Sequence, residues 1–191
     1  MIDFLIFFMS ILVLFLVVNK LLIVDTSLIM VKSTQDGLYY IVRDLPNSVE
    51  AANKLSKING KVMRLIDSLD KENPKYSRLI DRYNPNTLSE TGENAEYISY
   101  SVNKGEKISI CLRNKGDNTF EDDNIIMFVV LHELAHLITI DVGHTKKFWN
   151  NMKELLEKAE KINIYYPEDY SKKHIEYCGM TVKTTPYDFK K

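Results

Sequence analysis

Residues 129–149, VVLHELAHLITIDVGHTKKFW, constrain this chain most, because they set three of its four histidines and a glutamate in an otherwise apolar run. His132 and His136 are spaced i, i+4, so on an α-helix their imidazoles lie on one face about a turn apart. That separation lets both rings reach one tetrahedral zinc at about 2.0–2.1 Å. Glu133 is rotated out of the ligand pair, where it can hold a water and act as general base. The bland alternative is a core helix with satisfied histidines. Two imidazoles and a carboxylate would then each need a buried partner, at several kcal/mol apiece if left unpaired. A metal satisfies all three, and the spacing favours it.

A catalytic zinc takes three protein ligands and keeps one position open. His144, eight residues past His136, is the preferred third ligand. The helix must end and the chain return, and Gly143 permits that turn. His174 and the carboxylates Glu154 and Glu157 are the alternatives, since zinc accepts either donor.

Around this centre the periodicities describe an α+β domain. LYYIV (38–42) reads as a short strand. Leu55, Ile58, Val62, Ile66 and Leu69 recur at three and four, which predicts an amphipathic helix from Asn47 to about Leu69, capped by Asn47 or Ser48. KENPKYSRLIDRYNPN (71–86) holds a short helical turn between two Asn-Pro breaks. EYISYSV (96–102) and KISICLR (107–113) alternate about an NKGE turn and predict a β-hairpin. The apolar run after Asp123 is too long for a strand. Thr119 with Asp122 suggests a capping box at its start, Gly143 its end, and Thr145 the cap of a following helix that buries Phe148, Met152, Leu155, Leu156 and Ala159.

The N-terminus is different. Phe4 to Val24 is apolar apart from Ser10, Asn19 and Lys20, about the length that spans a hydrocarbon core as a helix. No basic n-region or small-x-small cleavage site accompanies it, so an uncleaved single-pass anchor is expected rather than a signal peptide. Lys20, Lys32 and Arg43 follow the span and none precedes it, which favours a domain on the cytoplasmic, or virion-interior, side. The expected organisation is an anchor over 1–24, a linker over 25–37, the domain over 38–185 and a tail over 186–191.

The net charge of -1 gives no basic field for nucleic acid, so no nucleic-acid partner is expected. Cys111 and Cys178 form neither a disulfide framework nor a CxxC pair. One bridge between them is open, but two free thiols is the plainer expectation, with Cys178 a buried apolar thiol rather than a fourth, silencing zinc ligand.

HELAH followed by GHTKKFW resembles the WLM and SprT-like zinc metallopeptidases, in which HExxH is followed by a short connection and a third histidine close to Phe or Phe-Trp. ISYSVNKGEKISICLR before the helix and IYYPEDYSKKHIEYCGM after it extend the likeness over about residues 38–185, and the arrangement is most similar to membrane-anchored metallopeptidases of large DNA viruses. The connection between His136 and His144 is longer than in the WLM pattern. The resemblance implies a zincin-like fold, an active-site helix on a small sheet with an antiparallel edge, and zinc-dependent endopeptidase activity with Glu133 as base. It also implies an extended polypeptide substrate adding to the edge strand, assigned to 107–113. Tyr166, Tyr170, Tyr177 and His174 are candidates for stabilising the oxyanion, and Phe148 and Trp149 pack beneath His144. The alternative function is an inactive, zinc-stabilised, membrane-tethered scaffold, against which Glu133 argues.

Overall fold

A five-stranded sheet carries the domain on one face, and the computed structural model describes it through residues 27–103 and 105–187, with Met9, Ile11 and Val13. In chain order the elements are β1 (Leu28–Lys32), β2 (Tyr39–Arg43), α1 (Ser48–Asp67), α2 (Pro74–Arg82), β3 (Leu88–Glu90), β4 (Tyr100–Val102), β5 (Lys107–Ile110), α3 (Asp123–Ile138), α4 (Lys146–Lys161), β6 (Ile175–Tyr177) and β7 (Met180–Val182). The sheet order is β1-β2-β3-β5-β4, and β6 and β7 form a separate hairpin. The outer pairs are antiparallel, while β2–β3 and β3–β5 run parallel.

Each strand's alternation decides what it covers. In β2, Tyr40 and Val42 are buried under α1 while Tyr39 and Ile41 face outward. α1 returns Leu55, Ile58, Val62, Leu65 and Ile66 to that face. Asn47 precedes α1 but makes no side-chain cap; its Oδ1 accepts instead from Arg113 Nη1. α2 starts at Pro74 with the Asn73 side chain accepting from Lys75 N at 3.0 Å.

α3 is the central element. It is buried on nearly every face, with α2, α4, β4 and β5 packed around it, which is why its sequence is apolar all round. Its N-cap is Asp122, whose Oδ1 accepts from Asn124 N at 2.8 Å and Ile125 N at 3.3 Å, so the capping box expected from Thr119 does not form. Thr119 instead closes a turn with Asp117.

Four expectations change. The segment read as a linker, 25–37, contains β1, a five-residue edge strand paired antiparallel with β2. The strand read as the sheet edge, 107–113, is β5, which lies inside the sheet between β3 and β4. Ile108, Ser109 and Ile110 are all buried, as an interior strand requires, and the edge strand beside β5 is β4. The two-thiol expectation is also corrected: Cys111 and Cys178 form a disulfide across a separation of 67 residues. The bond fastens the β6–β7 hairpin beside the end of β5 and removes Cys178 as a zinc ligand.

The fourth correction concerns the membrane. Among the described residues no helix is long and apolar enough to cross one, so the single-pass placement is not supported. α3 is the apolar candidate, but its 16 residues extend only about 24 Å against a hydrocarbon core of about 30 Å. The 20-residue α1 carries Glu50, Lys54, Lys57, Lys61 and Arg64 on its polar face. The run from Phe4 to Val24 lies outside the described residues apart from Met9, Ile11 and Val13, as does the tail beyond residue 187.

Candidate metal centre

The site is assembled by three local devices. α3 presents His132 and His136 on one face, with ring centroids 5.0 Å apart. The helix then stops sharply at Thr139, whose N–H and Oγ1 both donate to Ala135 O, at 3.1 and 2.7 Å. Asn151 Nδ2 on α4 donates to Thr139 Oγ1 at 2.9 Å, which pins this exit to the next helix. Gly143, at φ +80°, turns the chain back in the left-handed region that favours glycine. Thr145 caps α4 by accepting from Phe148 N at 3.3 Å. His144 is thereby held between the two helices.

The result is a convergent triad. Ligand nitrogens of His132, His136 and His144 all lie within 4.8 Å of one another, and the His132 and His144 Nε2 atoms stand 3.0 Å apart. His144 has its ring centroid 4.8 Å from His132 and 5.0 Å from His136. Phe148, fully buried, is the floor: its ring lies 4.3 Å from His136, 4.7 Å from His144 and 4.8 Å from His132. Trp149 flanks His144 at 5.5 Å and stays partly exposed. Burial and the neighbouring imidazoles lower His132 to about 3, so its ring is neutral at physiological pH, the state in which imidazole ligates.

Glu133 is not part of this convergent group. It is 5% exposed and lines the cleft between α3 and β4. Burial pushes its carboxyl up to about 7, against the pull of a hydrogen bond with Ser101. The cleft has two lobes, both reaching His132, Glu133 and His144. One of about 570 Å³ runs past Tyr97–Ser99 toward Trp149 and the β6–β7 hairpin; the other, of about 410 Å³, runs past Ser101 and Asn103 to Asp141–Gly143.

The alternative ligands are placed apart from this group. His174 is exposed ahead of β6. Glu154 pairs with Lys75, and Glu157 lies 4.0 Å from Lys153. Of the tyrosines, Tyr170 packs on Phe128 with centroids 4.9 Å apart in the core, and Tyr166 is exposed. Tyr177 lines the larger lobe, but its hydroxyl donates to Cys111 O at 2.7 Å and contacts Ser99 Oγ at 3.2 Å. Ser101 escaped the sequence reading. The alternation of YISYSV sets Ser99 and Ser101 on one face, and that was its available signal.

The chain is similar to several known proteins. An uncharacterized protein of Acanthamoeba polyphaga mimivirus is 35% identical over 160 residues, 80% of this chain and 81% of that protein. An uncharacterized protein of Invertebrate iridescent virus 6 is 41% identical over a shorter stretch, 35% of this chain and 38% of that one. The crystal structure of Wss1 from Saccharomyces cerevisiae superposes with a TM-score of 0.51 at 28% identity, 64% of this chain against 87% of that chain. Residues 38–188, which hold every residue of the triad, Glu133 and the strands around them, match the WLM domain, and the chain belongs to that family.

Proposed function

We propose that this protein is a zinc-dependent endopeptidase in which His132, His136 and His144 hold the metal and Glu133 is the general base. The observation that carries the reading is the convergence of three imidazoles at mutual distances within 4.8 Å, beside a buried carboxylate and under a free strand edge. The donor set fits zinc: three histidines, at least one held neutral, with the cleft open beside them. Zinc bound there supplies Lewis acidity, polarising a carbonyl and acidifying water. WLM membership and likeness to Wss1 support a peptidase.

The chain's own residues supply the rest. β4 offers unpaired N–H and C=O groups on its outer edge, so an extended polypeptide adds there as a further strand and presents its scissile carbonyl to the triad. Glu133 takes a proton from the attacking water at its carboxylate oxygen and returns it to the leaving nitrogen. Phe148 and α4 hold the imidazoles in place and keep water away from their far sides.

Metal analysis of the purified protein should find about one zinc per chain, lost in His132→Ala. Glu133→Gln should keep the metal and lower cleavage of an unfolded protein by about 10²–10⁴-fold. A chain that binds no zinc, or a Glu133→Gln variant that cleaves as well as the native chain, would sink the reading.

A further inference from the structure

β1 is an edge strand whose outer side no other described strand pairs with. It bonds to β2 on one side only, and β4 forms the opposite edge of the sheet, beside the triad. β1 also lies ahead of residues 38–188, so it is an element outside the match to the WLM domain. Natural edges are blunted by proline, by a bulge or by an inward-pointing charge. LIMVK has no proline, its register with β2 runs unbroken through five residue pairs, and its one charge, Lys32, stands at its end.

The hydrogen-bond phase shows which backbone groups face outward. Asp44 N donates to Ser27 O at 2.8 Å, and Ser33 N donates to Leu38 O at 2.9 Å. In an antiparallel ladder the pairs that exchange bonds alternate. Ile29 and Val31 therefore bond to β2, and the N–H and C=O of Leu28, Met30 and Lys32 point away from it. The side chains along this edge are apolar as well. Met30 is 67% exposed on the sheet face away from the helices, across from the exposed Ile41 of β2. Ile29 and Val31 are only half-buried on the helix-bearing face. Val49 is exposed one turn before Asn53 on α1. Asn53 Oδ1 accepts from Ser33 Oγ at 2.9 Å and from Thr34 N at 2.8 Å, so that flank of the helix runs along β1.

We infer that β1 is a homodimer interface, pairing antiparallel with β1 of a second copy about a two-fold axis at Met30. LIMVK is complementary to itself in this register. Met30 opposes the partner's Met30 and Leu28 opposes the partner's Lys32, so all three outward-facing residues exchange bonds across the seam. Ile29 lies across from the partner's Val31 on the helix-bearing face, an apolar pair that stabilises a ladder. The two lysines stand at opposite ends of the seam, whereas a register centred on Lys32 would oppose like charges. Joined this way, the two sheets become one, and β4 with its cleft stays open at each far end. The interface does not rest on the peptidase reading, since it lies on the edge opposite the triad.

Sedimentation of the full chain should show a reversible dimer at micromolar concentration. Met30→Pro removes an N–H that β2 does not use, and proline is tolerated on an edge facing outward, so circular dichroism and the melting transition should change little. The two-fold axis deletes that bond twice, and the dimer dissociation constant should rise by about thirtyfold or more. Met30→Cys should form a covalent dimer under mild oxidation, because opposed residues of a bonded pair have Cα atoms about 5.5 Å apart. Lys57→Cys, on the exposed face of α1, should not. A native chain that stays monomeric overturns the proposal and leaves the edge to a strand of another protein. A dimer that Met30→Pro leaves intact, or that Lys57→Cys links as readily as Met30→Cys, also overturns it and places the contact elsewhere.

Discussion

At the scale of single residues, the roles of the four histidines separate by geometry. His144 stands beside His132 and His136, whereas His174 is exposed elsewhere. His144→Ala should therefore weaken zinc binding, measured by chelator competition, by more than the roughly 10–100-fold that loss of an outer-shell partner costs. His174→Ala should leave affinity unchanged. The shared helical face of His132 and His136, with Glu133 turned off it, was legible in HELAH, since a helix fixes which residues share a face. Preference for His144 over His174 needed an assumption about the path of the chain after His136. Ser101 was not legible as a partner of Glu133, because nothing local to either residue specifies which strand will lie over α3.

At the scale of elements, one turn and one helix start carry testable consequences. The β4–β5 turn passes close to the helices at Gly105, which sits at φ +116°; a Cβ there would lie 2.9 Å from both Arg82 O and Leu137 Cδ2. Gly105→Ala should cost about 1–3 kcal/mol in urea unfolding, from the disfavoured backbone and the overlap together. At the start of α3, Asp123 pairs with Lys54 of α1. Burial raises the Asp123 carboxyl, but Lys54, with Lys61 and Lys57 behind it, outweighs that and holds it below the ordinary 3.8. A carboxyl depressed by folding adds stability that is complete above its unfolded value and lost as pH falls through its folded value. The stability gap between native chain and Lys54→Met should therefore be present at neutral pH and close as pH drops below 3.8, which denaturant titrations in acid would show. Periodicity found α1, α3, α4 and the hairpin. It missed β1 and β3, strands of five and three residues, because so short a run carries too few alternations to stand out from a loop.

At the scale of the whole molecule, a buried network joins the ends of β2 and β3 to the segment after β5, which are distant in sequence. Arg113 Nε donates to Glu90 Oε1 at 2.8 Å, and Arg113 Nη2 reaches Glu90 Oε2 as well; Arg43 N donates to Glu90 Oε2 at 2.7 Å. Arg113 and Glu90 are 0% and 1% exposed. Arg113→Met should cost about 3–5 kcal/mol by leaving the Glu90 charge buried and unpaired, and adding Glu90→Gln should recover part of that loss. Cys178→Ser should lower stability by roughly 2–4 kcal/mol through the 67-residue separation it leaves unlinked, read in denaturant without reductant. The ion pair was not foreseeable from the chain, and the disulfide stood only as the less expected state of the two cysteines: Glu90, Arg113, Cys111 and Cys178 sit in unremarkable local contexts. The sequence alone determined the helix that carries His132, Glu133 and His136, the return at Gly143, and the apolar and amphipathic faces that make an α+β domain, because each follows from spacings within a few residues. Only the tertiary structure decided that β4 rather than β5 is the edge strand, that His144 joins the other two rings, and that Cys178 is tied to Cys111. Those are contacts between segments whose separation in sequence says nothing about their distance in space.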